Sequence, residues 1–448
     1  MPQKKFNLSV FEKIKPFKKT IIVYPDKSIS IRSLLIGSIS NNISYASNVL
    51  ESDDVTSSIK CLKKLGVKII RLKNKEYKIY GNGLGSYKIK NNLVLDFGNS
   101  GTLARLLIGI LSSHPNVKIN MTGDKSLRKR SMKKLLSLMS KFGASFYPKN
   151  KFNFPLKMIS SPFPIGIIYE SGISAQLKSA VIFAALNSFG ETKIIELQES
   201  RNHTENMLLK NKQTFKISKQ KNRIMIIKGK KYLNPLKVNV PNDPSSAAFF
   251  TALTILNEKS SLIIKNVGLN PTRIGFYQLL KRNGAKIKFK NIKKKNEEIQ
   301  GDIHIKSCKL KPIHASKKYY VNSTDEYPIL FAAAALIRGT SSFKGISDLA
   351  NKESNRIIEM QKVLSQLGVK SKLKKGVFKI FGKGKINYED KIINIPNLGD
   401  HRICMSSFIL GLLTGAKTKI KNFETVFTSS PSFLNIMKSL GAKFEIQK

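Results

Sequence analysis

Five times along the chain an amphipathic stretch runs into a glycine and then into a short apolar stretch. The copies are CLKKLGVKI (61–69), LMSKFGASF (138–146), LLKRNGAKI (279–287), VLSQLGVKS (363–371) and IMKSLGAKF (436–444). The spacing of apolar positions before the glycine is that of one helix face, and the stretch after it suits a strand. The glycine falls where a helix ends, a position at which left-handed backbone is cheap for a residue without Cβ. A weaker sixth copy, MLLKNKQTFKI (207–217), keeps the order and lacks the glycine. Within each half the copies are spaced roughly 70 to 85 residues apart. Solenoid repeats run at about 20–50 residues, so each copy marks a small α/β subdomain with several strands. Three copies precede residue 243 and three follow it, which predicts two similar halves. Ordinary helix ends that resemble one another by chance are the alternative.

A second pattern is a polar cluster paired with a helix start. YPDKSISIR (24–32) follows the strand-like TIIVY and precedes LLIGSI. A solvated turn with a helix cap explains that stretch as well as an anion site does. A helix N-terminus nevertheless offers free N–H groups and the positive end of a dipole. The arrangement recurs in GNSGTLARLL (98–107), GDKSLRKRSMKKLL (123–136) and SGISAQLKSAVIFAAL (171–186). After VNVPNDPSSAAFFTALTIL (238–256), in which Asp243, Ser245 or Ser246 suits an N-cap, it returns with carboxylates added. Those later segments are NSTDEYPILFAAAAL (322–336), NKESNRIIEM (351–360) and NLGDHRICMSSFILGLL (397–413). One such start is capping. Six, divided between two halves, predict a cleft ringed with cations and a few acids, suited to two anionic molecules and to proton transfer between them.

Composition narrows the picture further. At 448 residues the chain predicts at least two domains, and 41% hydrophobic content suffices for their cores. No apolar run reaches the ~18 residues that span a bilayer, and the basic N-terminus has no apolar h-region of a secretory signal. Cys61, Cys308 and Cys404 are too few and too scattered for a disulfide frame or a zinc site, which fits a reducing cytoplasm. The net charge of +51 suits a nucleic-acid binder. The excess is spread over the whole chain, however, and no helix-turn-helix, zinc-finger or RNA-binding signature accompanies it. The charge therefore argues for anionic ligands in general.

The motifs DKSIS-x-R, GNSGT-x-x-R, GD-x-SLR-x-R, SAQ-x-KSA, NPTR, DE-x-P, KES-x-R and DHR occur in the order found in 5-enolpyruvylshikimate-3-phosphate (EPSP) synthases. The chain resembles that enolpyruvyl transferase family from about residue 20 to 446. The resemblance implies two α/β domains of the inside-out type, each built of three βαβαββ units, with the active site in the interdomain cleft. The first domain would comprise 1–26 and 244–448, the second 27–243. The implied reaction moves the enolpyruvyl group of phosphoenolpyruvate to the 5-hydroxyl of shikimate 3-phosphate, by addition and elimination, on the route to chorismate and aromatic amino acids. No metal or organic cofactor is implied, and the expected enzyme is free-standing, cytoplasmic and monomeric, with no nucleic-acid or membrane partner.

Residue roles transfer by motif position. Asp325 resembles the carboxylate that takes the 5-hydroxyl proton, and Glu353 the group that handles the methylene proton. Lys27 and Lys352 resemble charge-neutralising, proton-shuttling lysines. Phosphoenolpyruvate would meet Lys27, Asn99, Gly101, Arg130, Gln176, Arg356 and Arg402. Shikimate 3-phosphate would meet Lys27, Ser28, Arg32, Ser174, Ala175, Gln176, Ser200, Asp325 and Lys352. His401 and Cys404 are expected to be structural.

Several positions depart from the family pattern: Tyr24-Pro25, Ile31, Ser131, Asn355, Thr428 and Ser430. None carries a leading role. Gly101 leaves room for the phosphoenolpyruvate mimic glyphosate, so inhibition by it is expected. A sister transferase acting on UDP-N-acetylglucosamine would carry a reactive Cys or Asp in a glycine-rich loop, which GDKSLRKR does not provide. A nucleic-acid binder on an inactive scaffold is the rival from another class, and the joint presence of Lys27, Asp325, Glu353 and Arg356 argues against it.

Overall fold

The computed structural model of the chain describes residues 5–219, 222–384 and 388–447. The chain divides into two compact units. One comprises 1–24, 241–294 and 299–448, the other 25–240 and 295–298. The long segments change unit at 24/25 and 240/241. Each unit is α/β and holds three four-stranded sheets, as the repeat predicted.

The sheets share one plan. In the second unit one sheet runs Val94–Asp96, Lys118–Thr122, Leu156–Ile159, Ser145–Tyr147 in spatial order. Its first pair is parallel and the other two antiparallel. The sheet beginning with Ile168–Ser171 repeats that pattern. So does the sheet of His314–Ala315, Gly339–Lys344, Val377–Gly382 and Ser371–Lys374 in the first unit. A parallel pair needs a crossover between its strands, and a buried helix supplies it each time.

We number the six buried helices α1 (Lys27–Ile39), α2 (Gly101–Ser112), α3 (Ala175–Leu186), α4 (Pro244–Leu256), α5 (Tyr327–Ala335) and α6 (His401–Thr414). They are apolar nearly all round, the mark of a helix enclosed by its own domain; in α6 all fourteen residues are buried. Within the first unit α4, α5 and α6 pack on one another, and within the second α2 packs on both α1 and α3. The amphipathic helices of the sequence repeat form the outer set and end as expected: Gly66, Gly143, Gly284, Gly368 and Gly441 have φ from +67° to +96°.

Local details differ from the sequence expectation in two places. The strand expected over 20–24 is Lys18–Ile21. Arg130 does not start a helix: Asp124 caps a short helix, Lys125–Lys129, and Arg130 lies at its C-terminal cap. The run of cations there is interrupted by the turn that leads into Lys133–Ser140.

Candidate active site

Five of the six buried helices are capped by a side chain. Asp26 accepts from Ile29 N–H at 2.9 Å, Ser100 from Leu103 at 3.2 Å and Ser174 from Leu177 at 3.4 Å. Asp243 accepts from Ser245 at 2.7 Å and Asp400 from Arg402 at 2.9 Å. The sixth helix, α5, begins through a 3₁₀ turn, Thr324–Glu326, without a side-chain cap. Capping is therefore assigned mostly to Asp and Ser residues that precede the helices. The cations beside them are left for other work.

In the second unit, Lys27 forms an ion pair with Asp54 at 2.9 Å. Arg32 is buried; its Nε–H donates to Thr204 Oγ1 at 2.9 Å and its Nη1 to the Ser28 carbonyl at 3.1 Å. Asn99 is held between charges: it donates to Asp124 at 2.6 Å and accepts from Arg130 at 2.9 Å. Arg105 Nη1 donates to the Gly101 carbonyl at 3.0 Å and to Gln176 Oε1 at 2.9 Å, while Gln176 donates to Thr102 at 3.0 Å. Packing of α2 on α3 thus brings Gly101, Gln176 and the two arginines together. A Cβ on Gly101 would lie 2.7 Å from Arg105 Nη1 and 3.1 Å from Arg130 Nη1. Ser200 lies on a loop tied to a buried ion cluster. Its N–H and Oγ both donate to Glu196, at 2.9 and 3.1 Å. Lys178 joins Glu196 and Glu205 at 2.6 Å each, with all three side chains fully buried.

In the first unit a chain of alternating charge links the acids. Arg356 is fully buried and holds Asp400 through Nε at 2.9 Å and Glu353 through Nη2 at 2.5 Å. Its Nη1 lies 3.8 Å from Asp325. Burial alone would weaken the guanidinium's hold on its proton; Asp400 and Glu353 outweigh it and push the pKa further up. Lys352 pairs with Asp348 at 2.6 Å, and Asp348 accepts from the Tyr320 hydroxyl at 3.0 Å. Arg402 is buried, with Nη1 3.4 Å from the Ser245 carbonyl and the guanidinium 5.6 Å from the Phe249 ring centre. Its Nε has no hydrogen-bond partner, and no carboxylate among the described residues pairs with its guanidinium. A buried cation with so little compensation is costly unless an anion joins it.

The EPSP synthase (3-phosphoshikimate 1-carboxyvinyltransferase) family model matches residues 11–437. The chain belongs to the EPSP synthase family. It is 38% identical over 433 residues to the 3-phosphoshikimate 1-carboxyvinyltransferase of Thermodesulfovibrio yellowstonii, covering 96% of this chain and 99% of that one. It is 36% identical over 421 residues to the enzyme of that name from Paramagnetospirillum magneticum, covering 93% and 94%. The solved EPSP synthase from Acinetobacter baumannii superposes with a TM-score of 0.84 at 33% identity, over 99% of this chain and 100% of that chain. The enolpyruvyl transferase NikO from Streptomyces tendae shares the fold, with a TM-score of 0.78 at 11% identity and 99% coverage of each chain.

Within the EPSP synthase motifs, the departures are accommodated locally. Asn355, an amide in place of an acid, caps the helix Arg356–Gln366 by accepting from Ile358 N–H at 3.3 Å. Ser430 shares a hydrogen bond with Ser246 at 2.8 Å, and Thr428 Oγ1 donates to the Thr425 carbonyl at 2.8 Å. Cys404 is buried, its thiol pushed up by burial, and His401 is buried in the first turn of α6. Sequence reasoning missed Asp54, Asp124, Asp348 and Arg273 as partners of the site residues. The motifs NPTR, for Arg273, and GD-x-SLR-x-R, for Asp124, were the signals at hand; Asp54 and Asp348 look like helix-start or loop acids. Among the described residues no helix is long and apolar enough to cross a membrane.

Proposed function

We propose that this chain catalyses enolpyruvyl transfer from phosphoenolpyruvate to the 5-hydroxyl of shikimate 3-phosphate, releasing phosphate. The observation that carries the anion-binding part is Arg402, a buried guanidinium with which no carboxylate among the described residues pairs. Arg356 adds a second buried guanidinium whose Nη1 has no hydrogen bond. A planar fork of donors suits a carboxylate or phosphate bidentately. Arg130, positioned by Asn99, would share the anion, and Lys27 would balance the charge of the leaving phosphate.

Chemistry follows from the acids. Protonation of the phosphoenolpyruvate methylene carbon makes the neighbouring carbon electrophilic. The 5-hydroxyl oxygen attacks it as Asp325 takes the hydroxyl proton, giving a tetrahedral intermediate. Glu353 would deliver the methylene proton and, in elimination, remove one again as phosphate leaves. Its place against Arg356 at 2.5 Å fixes its orientation. Ser28, Arg32, Ser174, Ala175, Ser200 and Lys352 would hold shikimate 3-phosphate.

The test is phosphate release from the purified chain with phosphoenolpyruvate, with and without shikimate 3-phosphate. Release that requires the shikimate ester supports the reading. Glu353→Ala should lower the rate by about 10²–10⁴-fold, the usual contribution of a positioned acid–base group. No release from folded protein with either mixture would sink it.

A further inference from the structure

The NPTR motif carries a buried cation to which the mechanism above gives no task. Arg273, 3% exposed, donates through Nη2 to Asp243 Oδ1 at 3.1 Å and to Ser245 Oγ at 3.0 Å. Its Nη1 lies 3.6 Å from Asp325 Oδ2. The other oxygen of Asp325 faces Arg356 Nη1 at 3.8 Å. Behind Arg273, Asp243 is itself fixed. It caps α4, and its own N–H donates to the Tyr24 carbonyl at 2.7 Å. Asp325 stands on a short 3₁₀ turn, Thr324–Glu326, and is partly exposed.

We propose that Arg273 is a positioning residue for Asp325, anchored by Asp243 and Ser245 and aiming the carboxylate that accepts the hydroxyl proton. This rests on the enolpyruvyl-transfer reading. The two guanidiniums face one carboxylate oxygen each, at 3.6 and 3.8 Å, and draw the group between them by charge. Proton abstraction needs the base within hydrogen-bond reach of the hydroxyl, and a misplacement of about 1 Å costs on the order of 10²-fold in rate.

The charged and titratable groups around Asp325 include, among the described residues, Arg273, Arg356, Tyr320 and the adjoining Glu326, with Asp243 behind the first arginine and Glu353 and Asp400 behind the second. An opposite charge at this range lowers a carboxyl pKa by about 1–3 units. Removing one of two such cations should therefore raise the acid limb of the kcat/KM profile.

The experiment compares wild type, Arg273→Gln and Arg273→Lys by phosphate release against pH, with thermal unfolding as the folding control. Shikimate-dependent release by the wild type is the condition for the underlying reading; its absence refutes that reading and this inference with it. With active wild type, Arg273→Gln should lower kcat by about 10²-fold, leave the KM for phosphoenolpyruvate unchanged and move the acid limb up by about one pH unit. Arg273→Lys keeps the charge without the fork, so it should restore the limb while kcat stays reduced. A folded Arg273→Gln with wild-type kcat and acid limb would overturn the inference. So would unfolding of both variants, because Arg273 would then be a structural residue.

Discussion

At Gly101 a missing side chain leaves the space that two guanidiniums occupy. The nearest obstacles to a Cβ are the ends of Arg105 and Arg130, both flexible side chains. Gly101→Ala should therefore fold normally, because the arginine heads can move. Moving them takes Arg130 off Asn99 and Arg105 off Gln176. We expect the KM for phosphoenolpyruvate to rise about tenfold, the cost of one weakened charge-assisted hydrogen bond. The inhibition constant for glyphosate should rise at least as much. Steady-state kinetics on the variant decide this, and an unchanged KM would show that the arginines do not meet the substrate. The lesson at this scale is uneven. Arg356 and Arg402 stood out in the sequence because their motifs are distinctive. Asp54 and Asp348 were not, because an acid in a first turn or a loop looks the same whether it meets solvent or a lysine.

At the scale of elements, α3 is tied down by a charge cluster inside its own unit. Lys178, in the first turn of an apolar helix, meets Glu196 on a strand and Glu205 on the next helix, and Arg223 joins Glu196 at 2.5 Å. The same Glu196 holds the Ser200 loop. Breaking a buried pair by removing one partner costs about 3–5 kcal/mol, so Lys178→Met should be that much less stable in urea unfolding. A cost near zero would show that the cluster is dispensable. Burial raises the Glu196 pKa, but Lys178, the Ser200 N–H and Arg223 outweigh it and bring it below the ordinary value. A carboxyl lowered in the folded state stabilises the fold above its unfolded pKa of about 4.3 and loses that contribution as pH falls through the folded value. The wild type should therefore lose stability below about pH 4.3 more steeply than Lys178→Met, which has already lost the chief cause. Unfolding midpoints across pH 3–6 measure the difference.

For the whole molecule, the placement of the N-terminal strands matters most. Asn7–Val10 lies inside a sheet of the first unit, between Lys417–Ile420 and Glu445–Gln447. Lys18–Ile21 pairs parallel with Ser261–Gly268. Two sheets built mainly from residues beyond 241 thus depend on strands from the first twenty-odd positions. Residues 241–448 expressed alone should fail to fold, since open edges and uncovered core would remain. Supplying 1–24 in trans should restore some soluble, protease-resistant protein. A stable, cooperative 241–448 fragment would refute this.

Local chemistry made much of this protein predictable from sequence. The helix-ending glycines need φ > 0, the helix starts need caps, and helices apolar on every side must be buried; these rules gave six α/β subdomains in two halves and the polar clusters at their helix starts. Tertiary structure decided what local rules do not encode. Which acid or hydroxyl faces which cation depends on helices packing across 27 to 172 positions of sequence, as in Lys27 with Asp54 or Arg32 with Thr204. Register and strand exchange bring residue 8 beside residue 420. Pairing at that range leaves no periodic trace, because it is set by complementary surfaces that exist only once the subdomains have formed.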